Sequence, residues 1–273
     1  MSLRLSPTFR DALAAQQARG DDGRPLAGLW VCSGSPLVAE ICAGSGVDWV
    51  LVDMEHSATS LETALTQLQA LAAYPTTPVV RVPSDDPVTI KQVLDVGAQN
   101  LLVPMVSSGD QARRLVEAVR YPPRGIRGVG SALSRSARWN RVDGYLGDAD
   151  EHVSLFVQIE TAQGVEAAAE IAAVDGVDGV FVGPSDLSAS MGLLGQQSHP
   201  DVVAAVHRAF EAVRAAGKPV GVNAFDQGVA RGYLDAGASF VLVGADVSIL
   251  ARGSEALAAA FVPEAGDDGR ASY

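Results

Sequence analysis

Short apolar runs recur along the chain, each nearly continuous and most followed by a stretch with helical spacing. The runs are LAGLWV (26–31), DWVLV (48–52), PVVRV (78–82), NLLVP (100–104), VSLFVQI (153–159), DGVFVG (178–183), PVGVN (219–223) and SFVLVG (239–244). Between most of them lie segments such as SLETALTQLQALAA, DPVTIKQVLDVG and DVVAAVHRAFEAVRAAG, whose apolar residues return every three to four positions. Strands without polar alternation are the kind covered on both faces, as in a parallel sheet. Eight strand–helix units in a chain of this length predict a (β/α)8 TIM barrel. A doubly wound open sheet is the rival, but it usually carries a glycine-rich nucleotide turn. The sequence has none, so no nucleotide cofactor is expected.

Four segments echo one another: GVDWVLVDMEH, GAQNLLVPM, GVDGVFVGPSD and GASFVLVGAD. Each runs glycine, spacer, apolar strand, then a polar or tight-turn residue. The glycine suits a helix C-cap, and the strand delivers its last residue to one common face, which in a barrel is the catalytic face. Residues 121–152 break this rhythm and are expected to form a long βα loop with a short helix of its own, acting as a lid or substrate loop. The tail PEAGDDGRASY lacks a core-forming pattern and is expected to be disordered over 263–273, leaving 1–262 as a single barrel domain.

Composition narrows the function classes. Of 273 residues, 48% are hydrophobic and 19% charged, enough apolar material for a sizeable core. No apolar run approaches the ~20 residues needed to cross a bilayer, and the first residues do not read as a signal peptide. The expected location is the cytoplasm, with no membrane partner. The net charge of −12 argues against a nucleic-acid surface. Against that acidic background, Arg120, Arg124, Arg127, Arg135, Arg138 and Arg141 fall in a stretch without Asp or Glu. Such a stretch suits anionic ligands, salt bridges across a subunit contact, or simply a solvated loop. Cys32 and Cys42 form neither a CxxC pair nor a disulfide framework and read as small buried hydrophobes.

The strand tips carry the candidate chemistry. Strand 2 ends in Asp53, Glu55 and His56; strand 3 carries Arg81; strand 5 ends in Gln158 and Glu160; strand 6 leads through Gly183, Pro184 and Ser185 to Asp186. Glu160 and Asp186 come from adjacent strands with no basic residue nearby in sequence. Two carboxylates with room for water suit a hard divalent cation such as Mg²⁺ or Mn²⁺. The alternative is that each caps the helix after it. No HxxxH or CxxC spacing points to closed zinc sites. Imidazoles titrate near neutrality, so His56 is a candidate general base, with Asp53 near enough in sequence to orient it. A guanidinium inside the apolar PVVRVP is costly unless it meets an anion, which makes Arg81 either a barrel ion-pair partner or a substrate ligand. The two lysines, Lys91 and Lys218, fall in a helix and at a strand entry, so no Schiff-base lysine is expected. Carbanion chemistry at this mouth therefore calls for a metal ion as electron sink.

Taken together, DMEHS, VVRVP, IKQVLDVGAQNLLVPMV, RYPPRGIRGVGSALSRSARWN, VQIET and VDGVFVGPSDLSASMG resemble the HpcH/HpaI family of class II pyruvate aldolases, within the phosphoenolpyruvate/pyruvate superfamily of barrels. The resemblance spans about Leu26 to Phe261 and is strongest to the aldolases of aromatic catabolism. It implies that Glu160 and Asp186 hold Mg²⁺, Mn²⁺ or Co²⁺, that His56 is the acid/base, and that Arg81 stabilises the enolate. It implies that Gln158, Asp186 and the backbone at Ser185 bind pyruvate; the family more often has alanine where Ser185 stands. It implies that Asp95 supports the histidine, although Asp95 reads as a helix end away from the mouth. The expected second substrate is an aldehyde such as succinic semialdehyde, which the arginine-rich loop would favour through its distal carboxylate. The expected assembly is a hexamer, a trimer of dimers that exchange the helix around Ala251–Phe261. Related lyases remain as alternatives: a sugar-acid aldolase, an oxaloacetate decarboxylase or an enzyme cleaving acyl-CoA thioesters. So, remotely, does a non-catalytic metabolite-binding barrel.

Overall fold

A computed structural model describes residues 3–20 and 23–262. Eight strands follow one another around a closed barrel: β1 (Leu26–Val31), β2 (Trp49–Asp53), β3 (Thr77–Arg81), β4 (Asn100–Val103), β5 (Ser154–Ile159), β6 (Gly179–Val182), β7 (Val220–Asn223) and β8 (Phe240–Ala245). Every neighbouring pair is parallel, and β8 closes on β1. The tail at 263–273 lies outside the described residues.

Side chains alternate across each strand, and the two phases build two cores. One phase faces the helices: Val50, Val52, Val80, Val157, Val180 and Val182 join helix residues such as Ile90, Leu115 and Val206. The other fills the barrel with Trp30, Trp49, Leu51, Val79, Leu102, Phe156, Phe181, Phe240 and Leu242. Burying each such side chain stabilises the fold by about 1.5–3 kcal/mol. The rings fit because glycines stand beside them. A Cβ on Gly28 would meet Trp49, one on Gly179 would meet Phe156, and one on Gly221 would meet Phe240. Helix Phe9–Gln17, held at its start by a Thr8/Asp11 capping box, closes the N-terminal end of the barrel. Its Phe9 packs on Trp49, Phe156 and Phe240.

The inward phase explains where the chemistry falls. Trp49 and Leu51 point into the barrel, so Asp53 does too; Val79 precedes Arg81, and Phe156 precedes Gln158 and Glu160 in the same way. At the C-terminal rim the inward row simply turns from apolar to polar.

The position of residues 121–152 corrects an expectation. They follow helix Gly109–Val119 and precede β5, so they form an αβ connection at the end of the barrel opposite the strand tips. They carry a small core of their own, Tyr121, Ala137, Val142, Tyr145 and Ala149, against Leu3 and Leu5. The arginines there serve this structure. Arg124 pairs with Asp150 at 3.0 Å, Arg127 is fully buried, and Arg135 donates to the carbonyls of Leu68 and Val96 at two helix C-termini. Partly lost hydration and the neighbouring Arg138 lower the Arg135 pKa to about 10. This segment is no lid over its own chain's mouth.

The helix Asp246–Phe261 shows no exchange within the single chain. It buries only Asp246, and its Ile249, Leu250, Leu257 and Phe261 stand exposed.

Candidate active site

β2 and β3 run in register, with Asp53 opposite Arg81. The pair is buried, and Arg81 donates through Nε to Asp53 Oδ1 at 2.8 Å and through Nη2 to Oδ2 at 2.9 Å. Its third nitrogen, Nη1, lies 2.9 Å from Glu55 Oε2, and its guanidinium stacks 4.3 Å from the centroid of Trp30. Trp30 is itself held, since its indole N–H donates to Asn223 Oδ1 at 2.8 Å. Four strands thus contribute to one guanidinium. Asp53 also accepts the backbone N–H groups of Glu55 and His56, which shapes the turn after β2.

His56 sits at the rim with its side chain 66% exposed, and Nε2 lies 3.9 Å from Glu55 Oε1. Asp53 does not reach its ring; its oxygens are taken by Arg81 and by the turn. The expected Asp53–His56 orientation is therefore corrected: Asp53 orients Arg81 and the loop backbone, and Glu55 is the carboxylate beside the imidazole.

Glu160 and Gln158 are buried next to each other, and Gln158 Nε2–H donates to Glu160 Oε2. The other oxygen, Oε1, accepts the Met105 N–H at 2.7 Å. Met105 holds a φ of 60°, a left-handed conformation costly for a side chain of this size, and that conformation turns its N–H toward the glutamate. Burial raises the Glu160 pKa to about 7, and the charges of Glu55 and Asp186 push the same way. Glu55 is raised chiefly by burial too. Neither Glu160 nor Asp186 caps a helix: Thr161 caps Ala162–Glu166, and the N-cap of Pro184–Ser190 is Gly183.

Arg81, Asp53, His56, Gln158, Glu160 and Asp186 line one cavity of about 340 Å³ with Trp30, Cys32, Phe181, Ser185 and Asn223. Asp53, His56, Arg81, Gln158, Glu160, Ser185 and Asp186, all singled out in the sequence, do converge there. Asp95 does not. It ends helix Pro87–Asp95, below the barrel, with its Oδ1 3.5 Å from Arg127 Nη2. The lysines also lie elsewhere, Lys218 donating to the carbonyl of Val177 and Lys91 lying beside Gly128.

The donor set fits a hard divalent cation. Among the described residues no basic side chain pairs with Glu160 or Asp186, although their charges add to that of Glu55. Gly183 leaves the space open, since a Cβ there would lie 2.8 Å from Glu160 Oε2. No group of three or more His, Cys, Asp or Glu residues is arranged to hold a metal among the described residues. A cation here would rest on two carboxylates and take its other positions from water and substrate, the usual habit of Mg²⁺.

Several contributors escaped the sequence reading. Trp30 is the last inward residue of β1, yet nothing in LAGLWV marks it as a lid on Arg81. Asp246 is buried and accepts the N–H groups of Cys32 and Ser33, tying the β8 rim to the turn after β1. Asn223 and Met105 act through single bonds between distant segments, which leave no local pattern.

Comparison with known proteins gives the family. The sequence pattern of the family described as HpcH/HpaI aldolase/citrate lyase matches residues 26–252. A 4-hydroxy-2-oxo-heptane-1,7-dioate aldolase of Salmonella dublin is 52% identical over 260 residues, covering 95% of this chain and 96% of its own. The crystal structure of a HpcH/HpaI aldolase/citrate lyase family protein from Burkholderia cenocepacia J2315 superposes with a TM-score of 0.84 at 41% identity, covering 89% of this chain and 97% of its own. A HpcH/HpaI aldolase from Desulfitobacterium hafniense DCB-2 gives 0.82 at 27% identity, covering 93% and 98%. On sequence and fold, this chain belongs to the HpcH/HpaI aldolase/citrate lyase family and is a carbon–carbon lyase.

Proposed function

We propose that this enzyme is a divalent-metal-dependent aldolase that joins pyruvate, as its enolate, to an aldehyde and cleaves the 4-hydroxy-2-oxo acid that results. The observation that carries it is the pairing, in one mouth, of two carboxylates that no basic side chain engages among the described residues with an arginine held on three sides. Glu160 and Asp186 would hold Mg²⁺, Mn²⁺ or Co²⁺. When bound, the ion supplies Lewis acidity that makes the methyl protons of a 2-oxo acid easier to remove.

The chain's own residues do the rest. Arg81 meets the oxygen on which negative charge develops, and its clamp by Asp53, Glu55 and Trp30 means no reorganisation is needed as that charge appears. Gln158 and the N–H of Ser185 hold the carboxylate end of pyruvate. His56, exposed beside Glu55, gives a proton to the new alkoxide in addition and takes it back in cleavage. Retro-aldol cleavage of 4-hydroxy-2-oxo-heptane-1,7-dioate, the compound in the relatives' name, yields pyruvate and succinic semialdehyde, which supports succinic semialdehyde as an acceptor.

Asp95 lies far from its own His56 but near a surface bearing exposed Leu133 and Trp139. It would serve the histidine of a neighbouring subunit, in a hexamer whose dimers pack or exchange the exposed helix Asp246–Phe261. The test is exchange of pyruvate methyl protons in D₂O. Exchange that needs a divalent ion, and is lost in Glu160→Ala, supports the mechanism; exchange that survives both EDTA and Glu160→Ala overturns it.

A further inference from the structure

A cavity of about 430 Å³ lies at the other end of the barrel from the catalytic mouth, where Thr77 and Pro78 begin β3 and Asn100 begins β4. Its size is that of a small-ligand site. Leu68 and Leu71 from helix Leu61–Leu71, with Ala12 and Ala15 from helix Phe9–Gln17, make much of its wall apolar. Asn100, Thr76 and Gln99 line it too, but their polar atoms are engaged within the protein. Asn100 donates to the Pro78 carbonyl at 2.8 Å and accepts the Phe9 N–H at 2.7 Å. The Thr76 hydroxyl is within reach of the carbonyls of Ala43 and Val47, and Gln99 donates to the Ser6 carbonyl at 2.9 Å.

Two guanidiniums complete the lining, those of Arg135 and Arg138. In the arginine-rich stretch they are the pair that local contacts leave over. Arg120 and Arg124 meet Asp150, Arg127 meets Asp95, and Arg141 stacks over Trp139. Among the described residues no carboxylate pairs with Arg135 or Arg138, although both are half-buried. Arg135 donates to the carbonyls of Val96 and Leu68 at 3.3 and 3.4 Å, and Arg138 to the carbonyl of Arg135 at 2.7 Å. Each guanidinium has five N–H groups, so most of them find no acceptor in the protein. The two helix ends that Arg135 touches carry roughly half a negative charge each, enough to offset one guanidinium but not both. Asp11, the one carboxylate on the lining, is committed elsewhere: it accepts the Thr8 N–H at 2.8 Å and lies 3.9 Å from Arg10 Nε.

The backbone supports the same reading. Arg138, Trp139 and Asn140 have φ values of 49°, 54° and 62°, three left-handed residues in succession. Side chains disfavour that conformation, and proteins retain it most often where a ligand is held. Gly97, with a φ of 100°, clears the space that the Arg135 guanidinium occupies, since a Cβ there would lie 2.5 Å from its Nη1.

We propose that this cavity is a binding site, separate from the catalytic mouth, for a small organic acid with a hydrocarbon body. Its carboxylate would take the spare N–H groups of Arg135 and Arg138, whose planar forks suit two oxygens at once. Its body would cover Leu68, Leu71, Ala12 and Ala15. A polyhydroxylated anion fits less well, because Asn100, Thr76 and Gln99 have their partners already.

The probe is hexanoate, followed by isothermal titration with Mn²⁺ and saturating pyruvate present so that the catalytic mouth is filled. Hexan-1-ol supplies the body without the charge, and acetate the charge without the body. Each is expected to bind at least about tenfold more weakly than hexanoate, as is hexanoate to Arg138→Gln, which loses a charge-assisted contact. Equal binding of hexanoate and hexan-1-ol, or of hexanoate to wild type and Arg138→Gln, overturns the proposal. So does a wild type that does not bind hexanoate, the result expected if an acidic side chain of a second copy already fills the cavity. If Arg138→Gln does not fold, Ala15→Glu decides instead. It places a carboxylate at the cavity wall from an exposed helix position, and unchanged hexanoate affinity there also overturns the assignment.

Discussion

Asp53 and Arg81 face each other across β2 and β3 and are joined by two parallel hydrogen bonds of 2.8 and 2.9 Å inside the barrel rim. Both side chains are all but sealed from solvent, so the fork geometry is held by packing as well as by charge.

A lysine cannot reproduce that fork, because its ammonium is a point charge without planar donors. Arg81→Lys is expected to leave a folded protein whose kcat falls by roughly two to three orders of magnitude, the loss typical of an oxyanion donor. Arg81→Met leaves Asp53 as an uncompensated buried charge and is expected to cost about 3–5 kcal/mol of stability. Steady-state kinetics and thermal melts separate the two effects; wild-type kcat in Arg81→Lys would remove Arg81 from the chemistry.

Glu160 links pH, metal and stability. Its pKa in the fold is about 7, above the ordinary 4.5, so folding favours its protonated form. The stability it contributes is fully present below about pH 4.5 and is lost as the pH climbs through about 7. The Tm of metal-free protein should therefore fall between about pH 5 and about pH 8. A divalent ion takes the proton's place, so added Mn²⁺ should raise Tm more at the higher pH. Glu160→Gln should abolish the metal response and flatten this part of the pH profile. A metal-induced rise that is equal at both pH values, or persists in Glu160→Gln, refutes the assignment.

Gly183 leaves room beside that carboxylate. A methyl group there would sit 2.8 Å from Glu160 Oε2 and 3.1 Å from Gln158 Nε2, and the backbone on both sides is buried. Gly183→Ala is expected to weaken divalent-ion affinity about 10- to 100-fold by displacing the glutamate. Isothermal titration with Mn²⁺ measures it.

Asp95 offers a test of subunit cooperation. If it supports a neighbour's His56, then Asp95→Asn and His56→Ala proteins, each poorly active alone, should regain part of their activity when denatured together and refolded as mixed oligomers. Mixed oligomers no more active than the average of the two parents would confine the site to one chain.

The exposed apolar residues of helix Asp246–Phe261 make the matching prediction for assembly. Leu250→Asp with Leu257→Asp adds charge to a face that touches little of its own barrel and should not unfold it. In sedimentation velocity the double variant is expected to run as a smaller species than wild type. An unchanged sedimentation coefficient would mean that this face is not a subunit contact.

The chain alone determined the eight-strand barrel and most of the residues at its mouth. Both follow from a local rule: side chains alternate along a strand, so Asp53, Arg81, Gln158 and Glu160 inherit the inward direction of the apolar residues two positions before them. Tertiary structure decided who meets whom. Asp53 reads in sequence as a partner for His56, yet strand register sets it against Arg81. Residues 121–152 read as a loop over the active site, yet they follow a helix rather than a strand and so lie at the opposite end. The Trp30–Asn223 bond joins β1 to β7 and exists only because the barrel closes. Alternation is a property of neighbouring peptide units, whereas register, closure and the end of the barrel a connection occupies depend on how distant segments pack.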